Sequence, residues 1–146
     1  MLTVRDDTFI AAPPEDVFAF LDQPERQPEF TPSLTESTLL ERLDNGGSRV
    51  RYTYRLLGLQ RSGEVRATDY APPERIIWNL SGDLHGTIRW YLEPVEGGTR
   101  FTYAATYDVP GPSFLRPLLA PILRRINERE LEELLARAKR LVEAGR

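Results

Sequence analysis

Between residues 33 and 109 apolar residues recur at every second position, and turn residues interrupt this pattern at short intervals. A period of two is typical of β-strands, because successive side chains on a strand point to opposite faces. The interruptions contain hairpin-turn residues, namely "DNGG" at 44–47, Gly58, "APPE" at 71–74 and "EGG" at 96–98. The pattern therefore predicts an antiparallel meander joined mostly by tight turns. Its six strands are predicted at 33–43, 48–57, 59–71, 76–82, 84–94 and 99–109.

The segments that flank this meander complete a single predicted domain. Residues 2–11 have the pattern of a further strand, which a short helix follows, and prolines limit 23–32 to a short turn with Phe30 as its buried anchor. After residue 113 the apolar spacing becomes helical. The sequence therefore predicts an α+β fold: a seven-stranded curved antiparallel sheet, two short helices between strands 1 and 2, and a C-terminal helix over about 115–144. The whole chain, 1–146, is expected to form this one domain.

The predicted inner face of the sheet is rich in aromatic residues. In strand 48–57 the arginines share one face, so we expect the opposite face, with its two tyrosines, to be buried. A buried phenol needs a hydrogen-bond partner, and an empty hollow of ~300 Å³ would cost about 7 kcal/mol. We therefore interpret this face as the wall of a cavity that holds ligand or water, with close core packing as the alternative. The six large rings expected to contact a ligand are Tyr52, Tyr54, Trp78, Trp90, Tyr103 and Tyr107.

The apolar residues of the C-terminal helix form two stripes. The first ends in Ile122 and Ile126, and the second runs from Leu131 to Leu141, rotated by about 100°, or roughly a third of a turn. This rotation suits a helix whose first half faces a hollow and whose second half packs on the sheet. Ile122 and Ile126 are therefore expected to contact the ligand.

Apolar residues also stand in loops, where polar residues are usual. "LLGL" at 56–59 closes one hairpin, and "PGPSFL" at 110–115 precedes the C-terminal helix. Exposed apolar residues at such positions indicate either the portal of a cavity or a surface that docks a protein partner. The candidate portal residues are Leu57, Leu59, Phe114 and Leu115.

Few polar residues are placed for catalysis, and the catalytic residues, if any, stay unknown. The alternation of strand 84–94 puts His85 outside, and Asp69 is expected near a strand end in solvent. Asn127 and Glu130 lie between the two stripes of the helix, where a cavity-facing and a solvent-facing position both remain open. One histidine and no cysteine predict no metal site, and no phosphate loop or nucleophile elbow is present, so no cofactor is expected.

Charge and hydropathy argue against several classes of partner. The net charge is −3, and no basic face is interleaved with aromatic residues, which disfavours nucleic acid. No apolar run approaches the roughly 20 residues of a membrane span, so no integral membrane segment is predicted. The first residues carry charges where a signal peptide would need an apolar core, so a cytoplasmic location is expected.

Four stretches of the sequence resemble the SRPBCC superfamily, which has the helix-grip fold of START domains, the birch pollen allergen and polyketide cyclase/dehydrase-like proteins. They are "FIAAPPEDVFAFLDQPERQPEFTP", "ATDYAPPERIIW", "LEPVEGGTRFTY" and "LLAPILRRINERELEELLARAKRLVE". The resemblance spans nearly the full chain. It implies that the C-terminal helix lies across the mouth of the sheet, with a hydrophobic pocket between them.

The resemblance leaves three functions open. Our leading expectation is a carrier or sensor that binds a small hydrophobic or aromatic molecule, such as a lipid, in that pocket. The alternatives are a polyketide cyclase/dehydrase-like enzyme and a protein-interaction accessory factor. In such cyclases pocket arginines and tyrosines orient a poly-ketone chain. The strand alternation puts four arginines of this chain on the outer face, which counts against cyclase chemistry: Arg51, Arg55, Arg66 and Arg89.

Overall fold

A computed structural model describes residues 1–56, 58–108 and 112–145, and in this part of the chain it has seven strands and two α-helices. Strand β1 (Leu2–Ile10) is followed by helix α1 (Pro14–Leu21) and a 3₁₀ helix (Pro24–Glu29). The chain ends in helix α2 (Arg116–Ala144). The remaining strands are β2 (Leu34–Arg42), β3 (Ser48–Leu56), β4 (Leu59–Ala71), β5 (Arg75–Gly82), β6 (Gly86–Val95) and β7 (Gly98–Tyr107).

The strands form one antiparallel sheet in the order β1-β7-β6-β5-β4-β3-β2. The first strand thus pairs with the last, and the meander from β2 to β7 fills the rest of the sheet. Together with α2 this is the helix-grip architecture, so the predicted fold class is confirmed. Strand β6 begins two residues later than predicted, because Leu84 and His85 belong to the turn that Gly82 opens with a φ of 98°.

Ion pairs cover much of the outer face of the sheet. Arg51 bonds Glu36 across β2 and β3 at 3.2 Å, and Arg100 bonds Asp7 across β1 and β7 at 2.6 Å. Such exposed pairs contribute little free energy each, but they keep this face solvated. The inner face is thereby left as the apolar side of the sheet.

Helix α2 packs against the inner face along one continuous stripe. Its second half buries Leu131, Leu134, Leu135, Ala138 and Val142 in the main core. Its first half buries Leu123, which packs with Leu2 in a smaller cluster at the end of the sheet.

This arrangement corrects the expectation of two rotated stripes. The polar residues Asn127 and Glu130 continue the buried stripe between Leu123 and Leu131, at the spacings of four and three residues that keep one helix face. A stripe drawn through apolar residues alone passes through Ile122 and Ile126, neither of which lines the cavity. Ile122 precedes Leu123 by one residue, which is about 100° around a helix.

A small cluster of hydrogen bonds connects the end of α2 to the end of β1. The carboxylate of Glu143 accepts a 2.8 Å hydrogen bond from the N–H of Ala11 and a 2.9 Å bond from the ammonium of Lys139. These two contacts lower the pKa of Glu143 below its ordinary value of 4.5. Lys139 also donates to the carbonyl of Phe9.

Glu143→Gln should therefore destabilise the protein at pH 7 by about 1 kcal/mol, the usual value of such a hydrogen bond. Because the folded-state pKa is lowered, the carboxylate's contribution is present above pH 4.5 and is lost as the pH falls through the folded-state value. Urea unfolding at pH 7 and pH 3 measures both effects. The control is Glu133→Gln, whose pair with Arg137 is exposed. Equal losses at both pH values would contradict the assignment.

Candidate functional site

A cavity of about 180 Å³ lies between the inner face of the sheet and α2. An engineered apolar cavity of about 150 Å³ is known to admit benzene, so this space is large enough for a small ring compound. Its lining includes all six rings that the sequence analysis selected: Tyr52, Tyr54, Trp78, Trp90, Tyr103 and Tyr107. That these rings contact a ligand stays a prediction.

Five of the six rings form two groups on the inner face. Trp78 and Trp90 meet edge to face at 5.4 Å, and Trp90 lies 6.3 Å from Tyr103, its partner across β6 and β7. Tyr52 and Tyr54 lie side by side on β3, with ring centroids 6.1 Å apart. Aromatic pairs in such offset and edge contacts stabilise the walls of the cavity without filling the space between the two groups.

Two glycines lie opposite cavity tyrosines, at points where neighbouring strands approach closely. Gly63 faces Tyr52 across β3 and β4, and Gly86 faces Tyr107 across β6 and β7. A Cβ atom at Gly63 would lie 2.7 Å from the hydroxyl oxygen of Tyr52. At Gly86 it would lie 2.7 Å from the Cα and Cβ of Tyr107. The nearest atoms are backbone oxygens, however. A Cβ would lie 2.1 Å from Ser81 O at Gly63 and 2.2 Å from Thr106 O at Gly86, so the close approach of neighbouring strands excludes a side chain at both positions.

The cavity reaches one end of the sheet. Tyr54 lies near the end of β3, Leu84 lies in the turn between β5 and β6, and Tyr107 is the last residue of β7. The register places the start of β2 and the β3–β4 turn at this same end. An entrance would therefore open here, beside the start of α2.

Helix α2 contributes a mixed face to the cavity. Leu123, Leu131 and Leu134 line it together with the polar residues Asn127 and Glu130. The two isoleucines expected at this position do not line it: the side chain of Ile122 is 55% exposed, and Ile126 is partly buried outside the lining.

The carboxylate of Glu130 lies in the cavity wall, where Ser33 holds it. Its two carboxylate oxygens accept hydrogen bonds from the N–H of Ser33, at 2.8 Å, and from the hydroxyl of Ser33, at 2.9 Å. Asn127 donates a bond to the carbonyl of Leu123 within the helix. The sequence alone left both polar residues open between cavity and solvent, and the structure places both in the lining.

Several polar atoms of the lining residues are buried and have no hydrogen-bond partner among the residues that the structure describes. They belong to buried parts of Gln27, Trp78, Trp90 and Tyr107, and each can donate: Gln27 Nε2, the two indole Nε1 atoms and the Tyr107 hydroxyl. Leaving a buried donor unpaired costs about 1–3 kcal/mol. The four atoms are themselves buried, so they do not face the cavity.

The tyrosines of the cavity stay protonated in the neutral pH range. Burial raises the pKa of Tyr52 to about 12. Burial also raises the pKa values of Tyr103 and Tyr107, and the negative charge of Glu130 raises both further. These phenols therefore act as neutral hydrogen-bonding groups and not as bases.

The candidate portal residues are only partly described. Leu57 lies outside the described residues. The side chains of Leu59 and Phe114 are 55% and 76% exposed, and Leu115 is partly buried before the first turn of α2. The place of the three described residues near the open end of the sheet supports both a portal and a docking surface, and each stays a prediction.

The other residues weighed for catalysis do not line the cavity. His85 is exposed in the β5–β6 turn. Asp69 follows an irregularity in β4 that breaks the alternation of side chains, and it pairs with Arg75 at 2.9 Å. The four arginines expected on the outer face are likewise missing from the cavity lining.

Two absences hold for the part of the chain that the structure describes. It contains no group of three or more histidine, cysteine or acidic residues that could hold a metal ion. None of its helices has the length and apolar character that crossing a membrane would require.

A ring-lined cavity between a curved antiparallel sheet and a long C-terminal helix defines a helix-grip protein. Residues 1–143 match the family model described as polyketide cyclase / dehydrase and lipid transport, and the chain belongs to this family. The family and the fold together indicate hydrophobic ligand binding or cyclase-like activity. No curated protein sequence matches the chain.

Solved structures share the fold at low sequence identity. TTHA0849 from Thermus thermophilus is 22% identical with a TM-score of 0.87, over 98% of each chain. A START superfamily protein from Mycobacterium smegmatis is 19% identical with a TM-score of 0.78, over 99% of each chain. The Zhui aromatase/cyclase from Streptomyces sp. R1128 is 19% identical with a TM-score of 0.75, over 98% of this chain and 96% of that one. At these identities the likeness establishes the fold alone.

Proposed function

We propose that this protein binds a small hydrophobic or aromatic molecule in the cavity between the sheet and α2, as a carrier or a sensor. The observation that carries the proposal is the cavity itself, about 180 Å³ of space among six aromatic rings. At ~24 cal/mol per Å³, leaving it empty would cost roughly 4 kcal/mol. That is a large part of a domain's usual net stability of about 5–15 kcal/mol, so the space holds water or a ligand, and its aromatic walls favour an apolar guest over water.

The proposed ligand site combines three surfaces. Aromatic faces on β3, β5, β6 and β7 provide most of the contact area, and Leu123, Leu131 and Leu134 close the site from α2. Ring faces and aliphatic side chains gain most from burying a guest of the same apolar character. We further propose that Leu57, Leu59, Phe114 and Leu115 border the entrance.

Thermal unfolding with 1-ethylnaphthalene, a neutral bicyclic hydrocarbon, tests the proposal. A ligand that binds only the folded state raises the melting temperature with increasing concentration. We expect such a rise, together with quenching of the tryptophan fluorescence, because both tryptophans line the cavity. An unchanged melting temperature up to the solubility limit would contradict the proposal.

A cyclase-like enzyme is the second candidate, and the position of Glu130 favours it. The family description includes cyclases and dehydrases, and a charged carboxylate reaches the cavity wall. Both oxygens of this carboxylate already accept bonds from Ser33, which limits its use as a base. Turnover of a synthetic poly-β-ketone thioester by the wild type, lost in Glu130→Gln and retained in Glu133→Gln, would support the enzyme. Products identical to those of the protein-free reaction would exclude it for this substrate.

A further inference from the structure

We propose that one end of the domain docks on the surface of a lipid bilayer that contains anionic lipids. This entrance end comprises the first residues of β1, the β3–β4 and β5–β6 turns, and the first half of α2, which the strand register brings together. The proposal concerns the outside of the molecule and holds whichever ligand the cavity binds. It follows from the placement of exposed apolar side chains and of arginines.

Large apolar side chains are exposed almost entirely at the entrance end. Among the described residues the exception is Tyr91 on the outer face of β6, which is only 36% exposed. The others are between 55% and 86% exposed, namely Met1, Leu59, Phe114, Leu118 and Ile122. Exposed apolar residues that gather at one end, instead of being scattered singly, are typical of a surface that contacts another molecule.

In α2 the exposed apolar residues are followed by arginines on the same helix face. One exposed stripe has spacings of four, three and four residues and consists of Leu118, Ile122, Arg125 and Arg129. Neither arginine makes a hydrogen bond or an ion pair with another described side chain. The apolar pair lies nearer the start of the helix. This order suits a helix end at a bilayer surface, where apolar side chains reach the acyl region and the longer arginines reach the headgroups.

The β3–β4 turn has the same arrangement on a separate element. Leu59 is exposed in this turn, and Arg55 and Arg61 lie three residues before and after Gly58. Burial raises the pKa of Tyr54, and the positive charge of Arg61 opposes that rise, so this arginine lies close to the open end of the cavity. Two elements that are distant in sequence thus combine exposed apolar residues with arginines at the entrance end.

The distribution of charge gives the molecule an orientation. Arg116 and Arg124 add to the arginines above, and together they outnumber the acidic residues of the entrance end, which are Asp83, Asp108, Glu128 and Glu130. The three hairpin turns at the opposite end carry exposed acidic residues: Asp44, Glu74 and Glu96. A negative membrane surface therefore attracts the entrance end and repels the opposite one. A second copy of this chain would bring the same arginines, which disfavours self-association through this end.

Co-sedimentation with vesicles tests the docking. The vesicles contain phosphatidylcholine alone or phosphatidylcholine with about one third phosphatidylglycerol. We expect the wild type to bind the anionic vesicles at least roughly tenfold more tightly, and the difference should shrink as salt is added, because the charges are exposed. Arg125→Gln combined with Arg129→Gln should weaken binding to the anionic vesicles by roughly tenfold or more.

A second pair of substitutions provides the control for lost charge. Arg66→Gln combined with Arg140→Gln removes the same charge from exposed positions on β4 and late in α2. Arg140 follows Arg129 by 11 residues, or about 16 Å along the helix, which is beyond the Debye length of about 8 Å at physiological salt. This pair should change vesicle binding by less than about twofold.

A fluorescent label reports which end enters the bilayer. The chain has no cysteine, so Leu118→Cys carries a single nitrobenzoxadiazole label. On the anionic vesicles we expect its emission to shift to the blue and to increase, because the label enters an apolar medium. The same label at Glu96→Cys, exposed in the β6–β7 turn, should keep its emission in water.

Three results would overturn the proposal. The first is no binding to the anionic vesicles, which would leave a protein partner for the entrance end. The second is an equal loss of binding in the two pairs of arginine variants. The third is bound protein whose label responds equally at positions 118 and 96, or at neither. All three leave the proposed function standing, because melting with 1-ethylnaphthalene is measured without lipid.

Discussion

Replacement of Ala105 by phenylalanine should nearly abolish binding of 1-ethylnaphthalene while the protein stays folded. Ala105 lies on β7 between Val4 and Ile88, and its small side chain lines the cavity. A ring built on this position would occupy space that a ligand otherwise fills. Because that space is empty of protein atoms, the added ring should cost no more than the about 1–3 kcal/mol of moderate overpacking. We expect affinity to fall by more than roughly 100-fold in calorimetric titration.

A substitution on the other face of the same strand provides the control. Thr102, three residues earlier on β7, faces Asp7 and Tyr91 and does not line the cavity. Thr102→Phe adds the ring to this outer face and should leave affinity unchanged. Wild-type affinity in a folded Ala105→Phe protein would show that the ligand binds elsewhere.

Phe30→Ala should be the most destabilising single substitution that we consider, by about 3–5 kcal/mol. Phe30 closes the 3₁₀ helix, is 1% exposed and packs on Phe20 with ring centroids 5.5 Å apart. The segment around it is held by few other buried side chains, so the space left by the ring cannot close easily. Urea unfolding measures the loss as a lower midpoint with an unchanged slope.

Phe114→Ala is the matched control for this loss. It removes the same ring from a side chain that is 76% exposed, so the free energy of unfolding should change by less than about 0.5 kcal/mol. Equal losses in the two variants would contradict the assignment of Phe30 as a buried anchor.

The sequence was sufficient to predict the sheet, because each strand can be recognised from its own residues and the turns that flank it. Alternation in β3 and β7 identified the inner face, and turn residues such as Gly58 set the strand ends within about two residues. One consequence of this alternation was the set of cavity-lining rings, since a strand that buries Tyr52 must also turn Tyr54 inward.

The cavity face of α2 could not be predicted in the same way, because it depends on contacts distant in sequence. Glu130 is inward because Ser33, 97 residues earlier, donates two hydrogen bonds to it. Without that partner a glutamate in a charged helix is expected in solvent, and an apolar residue such as Ile122 is expected to be buried. Spacing from Leu123 to Leu131 would have found the correct face only if polar residues had been allowed on it.

The indole resonances of the two tryptophans provide the most direct test of ligand binding in this cavity. Trp78 and Trp90 are the only tryptophans, so a ¹H–¹⁵N spectrum contains two indole N–H signals, which Trp78→Phe assigns. Both residues line the cavity, and their indole N–H groups have no partner among the described residues. We predict that titration with 1-ethylnaphthalene shifts both signals and saturates with the dissociation constant found by calorimetry. Saturable binding that leaves both indole signals in place would contradict a ligand site between the sheet and α2.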